Sequence, residues 1–274
     1  MEWVANARMY APTPAVADAW RRLFDWVAET SGVPLTVIEH AAPQPLALLW
    51  RRTDLGAGMM CGFPWATWNE PHVPRPLPLA APIPAPDAFG RQPVYWTDIV
   101  VRSDSAATSI ADLAGARFAY TQVDSQSGYQ APRALFAHAA IAAGGRLFAA
   151  TVGPLVTPRR VAELVVAGDA DAGPLDAWWH ALLQRHEPRL AERLRVIART
   201  PATPLPLLVA AAGVPAGTRD RLTTALETVA TAPELADVRA ALLLYGFARV
   251  KENDYAILAG NARAIDALGY RELR

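Results

Sequence analysis

Residues 117–143 limit the architecture more than any other stretch. They read as a strand (117–122), a polar turn (124–128) and an apolar-periodic helix running to about residue 143. The turn, Asp-Ser-Gln-Ser-Gly, offers hydroxyls and free backbone N–H groups at the positive end of a helix dipole. Such a site suits a phosphate, phosphonate or carboxylate. The same serines, Ser125 and Ser127, also suit plain helix caps, and both readings stay open. Ser127 and Gln130 have capping-box spacing. Pro132 would then fall too deep in the helix, where its missing N–H leaves a carbonyl unpaired. The regular helix is therefore expected to begin near Tyr129 or Gln130, after a concave loop over residues 124–128.

The chain before this stretch alternates in the same way. Residues 3–10 read as a strand and residues 15–31 as a helix whose Val16, Trp20, Leu23, Phe24 and Val27 follow helical spacing up to Gly32. Strands over 35–39 and 55–61 flank a short helix or turn at 43–50, and this alternation favours a parallel sheet. The proline-rich part from Pro71 to Pro93 reads as an edge strand at 73–81 and an irregular loop, because Leu77, Leu79 and Ile83 interleave the prolines. A strong β run follows at 94–102. Ser109 and Asp112 have capping-box character, in a short helix closed by Gly115. Thr157 and Pro158 start a helix in the favoured manner, and Gly168 ends it. Strands are expected at 147–152, 170–176, 194–198 and 205–211. Further helices open at Trp178 and Trp179 and span 218–231, 233–245 and 254–268.

Composition excludes several classes. The 26 acidic and 26 basic residues cancel, so no bulk charge favours nucleic acid or an anionic membrane. Cys61 is the only cysteine, which rules out an intrachain disulfide and a cysteine metal cluster; it reads as a small buried hydrophobe. The five histidines show no metal-ligand spacing, so neither metal nor cofactor is expected. No apolar run approaches the ~18 residues of a membrane span. The start lacks a signal-peptide pattern, so the protein is expected in the periplasm if a leader was removed, and in the cytoplasm otherwise.

Several patterns in order along the chain resemble one family. They are Met9-Tyr10, Cys61-Gly-Phe-Pro64, Tyr95 leading Val100-Val-Arg102, and Asp124-Ser-Gln-Ser-Gly-Tyr129. Gly168-Asp-Ala-Asp-Ala-Gly-Pro-Leu-Asp176, Thr200-Pro-Ala-Thr-Pro-Leu-Pro206, Tyr255 and Gly269-Tyr270 follow. Together they resemble the phosphate/phosphonate-type substrate-binding proteins of ABC transporters, over nearly the whole chain. The resemblance implies an α/β, two-lobe type II periplasmic-binding-protein fold, each lobe a mostly parallel sheet flanked by helices and joined by crossover strands. Lobe 1 would be residues 1–100 with 204–274, and lobe 2 residues 101–203. It implies a non-catalytic protein that captures a small phosphorus oxyanion between lobes by hinge closure and meets a transporter permease.

Carried over by position, the resemblance implies that Ser125, Gln126, Ser127 and Gly128 hold the oxyanion, with Tyr129 completing the turn. Tyr10 and Tyr95 would project towards the ligand from the first lobe. Asp176 would face a polar or cationic part of it, or else cap the next helix. Where the family commonly has Gly-Ser-His, this chain has Val156-Thr-Pro158, so Thr157 keeps a hydroxyl but the imidazole is lost. Arg133 reads as a neutraliser of the anion, a solvated residue or a salt-bridge partner. Two alternatives share the fold: a cytoplasmic ligand-sensing module, and an enzyme of pyrimidine or thiamine-precursor metabolism.

Overall fold

The computed structural model describes residues 2–274. In chain order it forms β1 (Trp3–Asn6), α1 (Pro14–Ser31), β2 (Leu35–Val37), α2 (Leu46–Trp50), β3 (Leu55–Met60), α3 (Gly62–Ala66) and β4 (Leu77–Pro84). Next come β5 (Val94–Tyr95), β6 (Thr97–Arg102), β7 (Arg117–Ala119), α4 (Ala131–Ala142), β8 (Ala150–Val152) and α5 (Pro158–Ala167). They are followed by β9 (Ala172–Asp176), α6 (Ala177–His186), α7 (Pro188–Ala191), β10 (Leu194–Arg199) and β11 (Thr203–Pro204). The chain closes with β12 (Leu207–Ala210), α8 (Ala216–Thr228), α9 (Ala236–Leu242), β13 (Leu244–Arg249) and α10 (Ala256–Ala267).

The chain divides into two compact units. One holds the residues up to Val94 together with Pro204–Tyr255, the other Tyr95–Thr203 with Ala256–Arg274. This differs from the expected lobes in two places. The run from Tyr95 belongs to the second unit because β6 lies between β9 and β10 in that unit's sheet. The closing segment belongs there too. Arg133 on α4 is buried and donates to Asp266 at 2.6 Å and to the Tyr270 carbonyl at 2.8 Å, while Leu147 N–H donates to the Arg274 carbonyl at 2.9 Å. Arg133 is thus a clamp on the C-terminal segment and not a solvated residue.

In the first unit, α1 forms where its cap and stop signals stand. Thr13 Oγ1 accepts from Val16 N–H, Pro14 opens the helix, and Gly32 ends it in the left-handed region at φ 63°. Its apolar stripe, including Trp20, Leu23 and Phe24, is buried. The sheet order is β13-β4-β12-β3-β1-β2. Only β1 pairs in parallel, with β2 and β3; the remaining pairings are antiparallel, so the sheet is mixed rather than mostly parallel. The proline-rich strand β4 is not an edge strand, since it pairs with both β12 and β13. Each of those pairings carries a register shift, and such bulges let a strand with missing N–H groups sit inside a sheet. The helix expected over 233–245 stops at Leu242. Leu243 turns left-handed at φ 47°, and the rest becomes edge strand β13.

The second sheet runs β10-β6-β9-β7-β8. Here β7 is parallel to β8 and β9, while β6 is antiparallel to β9 and β10. Phe118, Phe136 and Phe148 form its aromatic centre, with ring centroids 4.7–5.1 Å apart. These fully buried rings fasten α4 to β7. β5 and β11 pair as a two-stranded ribbon. The short helix expected after Ser109 is a single 3-10 turn at Ala111–Leu113.

Candidate anion-binding site

Strands β8, β7 and β9 lie side by side and parallel, and the chain leaving each carboxyl end enters α5, α4 and α6 respectively. Helix N-termini with their free N–H groups gather at such an edge, which is where open α/β sheets bind ligands. Thr97, the first residue of β6, pairs in register with Asp176 at the same end. Ser125–Tyr129, Thr157 and Asp176 therefore lie on three successive crossings of one sheet edge. Tyr95, on β5 of the same unit, is fully buried. Tyr10 belongs to the other unit, where it is buried and its carbonyl accepts from Trp20 Nε1 at 3.0 Å.

Beyond β7 the chain does not enter α4 directly. Ser125 is extended, and its Oγ accepts from Gly128 N–H at 3.0 Å. One wide helical turn follows over Gln126–Gln130, with Gln130 N–H donating to the Ser125 carbonyl at 3.0 Å and Ala131 N–H to that of Gln126. The wide turn begins at Gln126, within the stretch read as a concave loop, and the regular helix α4 begins at Ala131, next to the Gln130 start that the sequence reading gave. The next bond in this five-residue pattern would run from Pro132 to the Ser127 carbonyl, and proline has no N–H to give. Thr97 Oγ1 donates to that carbonyl instead, at 3.1 Å. Sequence reasoning used the unpaired carbonyl that Pro132 implies to move the helix start and missed Thr97, which lies 30 residues away in sequence.

Each turn residue then takes a distinct part. Ser125 accepts from Gly128 and still has its own proton to donate, so capping and ligand contact do not exclude each other. Gln126 is buried, and Ser127 is half-buried. At Gly128 a side chain is forbidden, since a Cβ would stand 1.8 Å from Thr121 Oγ1. Tyr129 is a core residue in this structure. Its ring packs edge-on to Tyr120 at 5.3 Å, and its hydroxyl accepts from Leu273 N–H at 3.0 Å. Asp124, exposed just before the turn, has its carboxyl pushed up by desolvation, with its own backbone N–H opposing.

Leu155 and Val156 donate their N–H groups to the Tyr120 and Thr121 carbonyls, each at 3.1 Å, which seats Thr157 beside the chain leading into the turn. Thr157 Oγ1 accepts from Arg160 N–H at 3.2 Å and caps α5. Val156 is held left-handed at φ 68°, a strained state for a β-branched residue. Asp176 is buried and caps α6, its Oδ1 accepting from the N–H groups of Trp178 and Trp179 at 2.9 and 3.0 Å. A second cluster escaped sequence reasoning altogether. Buried Asp98 accepts from Trp96 Nε1 at 3.0 Å and Arg199 Nε at 3.1 Å and meets His180 Nδ1 at 2.8 Å, tying β6 to α6 and β10 beside Thr97. Cys61 is buried in the first unit. Among the described residues no group of three or more His, Cys, Asp or Glu is placed to hold a metal ion.

Two α/β units with helix-flanked sheets, their chain crossing between them through paired strands, define a type II periplasmic-binding fold. The chain belongs to the family of periplasmic substrate-binding proteins of ABC phosphonate transporters, whose model matches residues 10–255. It is therefore a binding protein and not an enzyme. A binding component of an ABC phosphonate transporter from Pseudomonas aeruginosa superposes with a TM-score of 0.79 at 16% identity, covering 98% of this chain and 87% of the other. The PhnD1 protein of Prochlorococcus marinus, in complex with methylphosphonate, gives 0.77 at 16% identity, covering 97% and 98%. A histidine kinase sensor domain similar to periplasmic binding proteins gives 0.56 at 18% identity, covering 90% and 97%. None of the curated protein sequences matches the chain. Among the described residues no helix is long and apolar enough to cross a membrane.

Proposed function

We propose that this chain binds a small phosphorus oxyanion, a phosphonate, phosphate or phosphite-like anion, at the carboxyl edge of its second sheet and delivers it to a transporter permease. The observation that carries the reading is the Ser125–Gly128 turn, where a serine that has already accepted a backbone N–H keeps its own proton to donate at a helix start. Ser127 and Thr157 add hydroxyls from the same edge. All of these donors are uncharged, so the counter-charge comes from the N-terminal ends of α4 and α5. Asp176 already caps α6 and would meet a protonated or amino part of the ligand rather than its oxyanion. The Prochlorococcus protein, which holds methylphosphonate on the same fold, supports this choice of ligand.

Titration calorimetry with methylphosphonate, phosphate, phosphite and sulfate tests the reading. A phosphorus oxyanion should bind in preference to sulfate, and Ser127→Ala should weaken it by about 1–3 kcal/mol, the scale of one lost donor to a charged acceptor. Unchanged affinity in Ser127→Ala would return the turn to helix capping alone.

A further inference from the structure

The hydroxyl of Thr121 is 5% exposed as a residue, and its Oγ1 has no hydrogen-bond partner among the described residues. Buried hydroxyls are nearly always paired, so an unpaired one calls for a reason. Thr121 stands two residues past β7, at the base of the turn. The place that a Gly128 Cβ would fill lies 1.8 Å from Thr121 Oγ1 and 2.9 Å from Ser125 Oγ. The Thr121 hydroxyl therefore fills the space that a side chain at Gly128 would take, and the Ser125 hydroxyl borders the same space. Ser125 Oγ is occupied by Gly128 N–H, which is itself a donor that an anion at this turn would use.

We infer that Thr121 is the latent donor of the anion turn: when the ligand takes Gly128 N–H, the Thr121 hydroxyl replaces it on Ser125 Oγ. The inference rests on the reading of this turn as the anion site. The exchange leaves every group paired. Gly128 N–H passes from Ser125 to the ligand, Ser125 accepts from Thr121 in its stead, and the Ser125 proton still points to the ligand. The ligand-free protein carries the unpaired hydroxyl, and binding relieves it. Thr121 thus acts through Ser125, as a positioning residue.

This arrangement separates stability from affinity. Thr121→Val exchanges an unpaired hydroxyl for a methyl of the same shape, so the ligand-free Tm should stay level or rise. Affinity for methylphosphonate or inorganic phosphate should fall about tenfold, because Ser125 Oγ loses its replacement donor. Thr121→Ser keeps the hydroxyl and should bind within about threefold of wild type. Calorimetry and thermal melts on wild type, Thr121→Val, Thr121→Ser and Ser127→Ala decide the matter. A fall in Tm or a failure to fold in Thr121→Val would show the hydroxyl already paired and overturn the inference. Wild-type affinity in Thr121→Val beside weakened Ser127→Ala would overturn it while leaving the site reading intact. If neither probe binds wild type, or Ser127→Ala binds as wild type, the site reading fails and this inference with it.

Discussion

Helices α4 and α5 leave neighbouring parallel strands of one sheet, yet their first turns are built differently. α5 starts within its own few residues: Thr157 caps Arg160 N–H, Pro158 takes the first helical position, and Gly168 ends the helix at φ 80°. α4 is entered through a wide turn, capped at Gly128 by Ser125, with Pro132 in its first turn. Its carbonyl is met by Thr97 from β6, another crossing of the sheet edge, and the space beside its glycine is filled by the Thr121 hydroxyl just past β7. A locally closed helix start is a stable end for a helix. One held from outside can rearrange its bonds when a ligand arrives, which suits a binding turn.

The comparison breaks most sharply at Gly128. In Gly128→Ala the new methyl meets Thr121 Oγ1, so about 1–3 kcal/mol of stability should be lost by urea denaturation, together with anion binding. Adding Thr121→Ala removes the closest clash and should restore part of that stability, since Thr121 Cβ and Ser125 Oγ still stand 2.9 Å from the new methyl. A Gly128→Ala variant as stable as wild type would show that the turn is not constrained as described.

Thr97→Val comes next. It strands the part-buried Ser127 carbonyl and should cost about 1 kcal/mol. Pro132→Ala supplies the missing N–H, so Thr97→Val should cost less in that background, with a coupling of about 0.5–1 kcal/mol in a double-mutant cycle. Strict additivity would sever Thr97 from Pro132. The matching change at the regular helix, Thr157→Ala, should cost about 1 kcal/mol of stability, as an ordinary lost cap does. Anion affinity should fall as well, since Thr157 contributes a hydroxyl to the proposed site; unchanged affinity would leave it a cap only.

The same contrast explains what the sequence disclosed. α1 and α5 were legible because their caps, first-turn prolines and closing glycines lie within one segment. The α/β character and the turn followed from strand–helix alternation and a run of small polar residues, while the two-unit organisation was implied by the resemblance to the substrate-binding family. The partners of that turn were not legible. Thr97 reaches Ser127, Leu273 reaches Tyr129, and Asp266 reaches Arg133 across 30, 144 and 133 residues. No local pattern encodes those meetings, and the last two place the C-terminal segment in the second unit. The inner position of β4 and the strand β13 were hidden for a related reason, since bulges and a left-handed Leu243 override the usual readings of proline and of a leucine run.

The smallest expected effect concerns Asp124, whose carboxyl is pushed above its ordinary range by desolvation. A carboxyl with a raised folded-state pKa binds its proton more tightly in the native state. Stability is therefore lost as pH rises from the ordinary carboxylate value through the raised one, and is recovered below both. Asp124→Asn should melt slightly higher than wild type at neutral pH, and the difference should vanish in acid. The α5 start has no such carboxylate in its first turn, so its stability should show no matching step there. Removing the negative charge one residue before Ser125 should also tighten anion binding by about two- to fivefold, the scale of one exposed, screened charge. Affinity that falls in Asp124→Asn would mean that the carboxylate holds the turn in place, and Asp124 would then join the outside groups on which the α4 start depends.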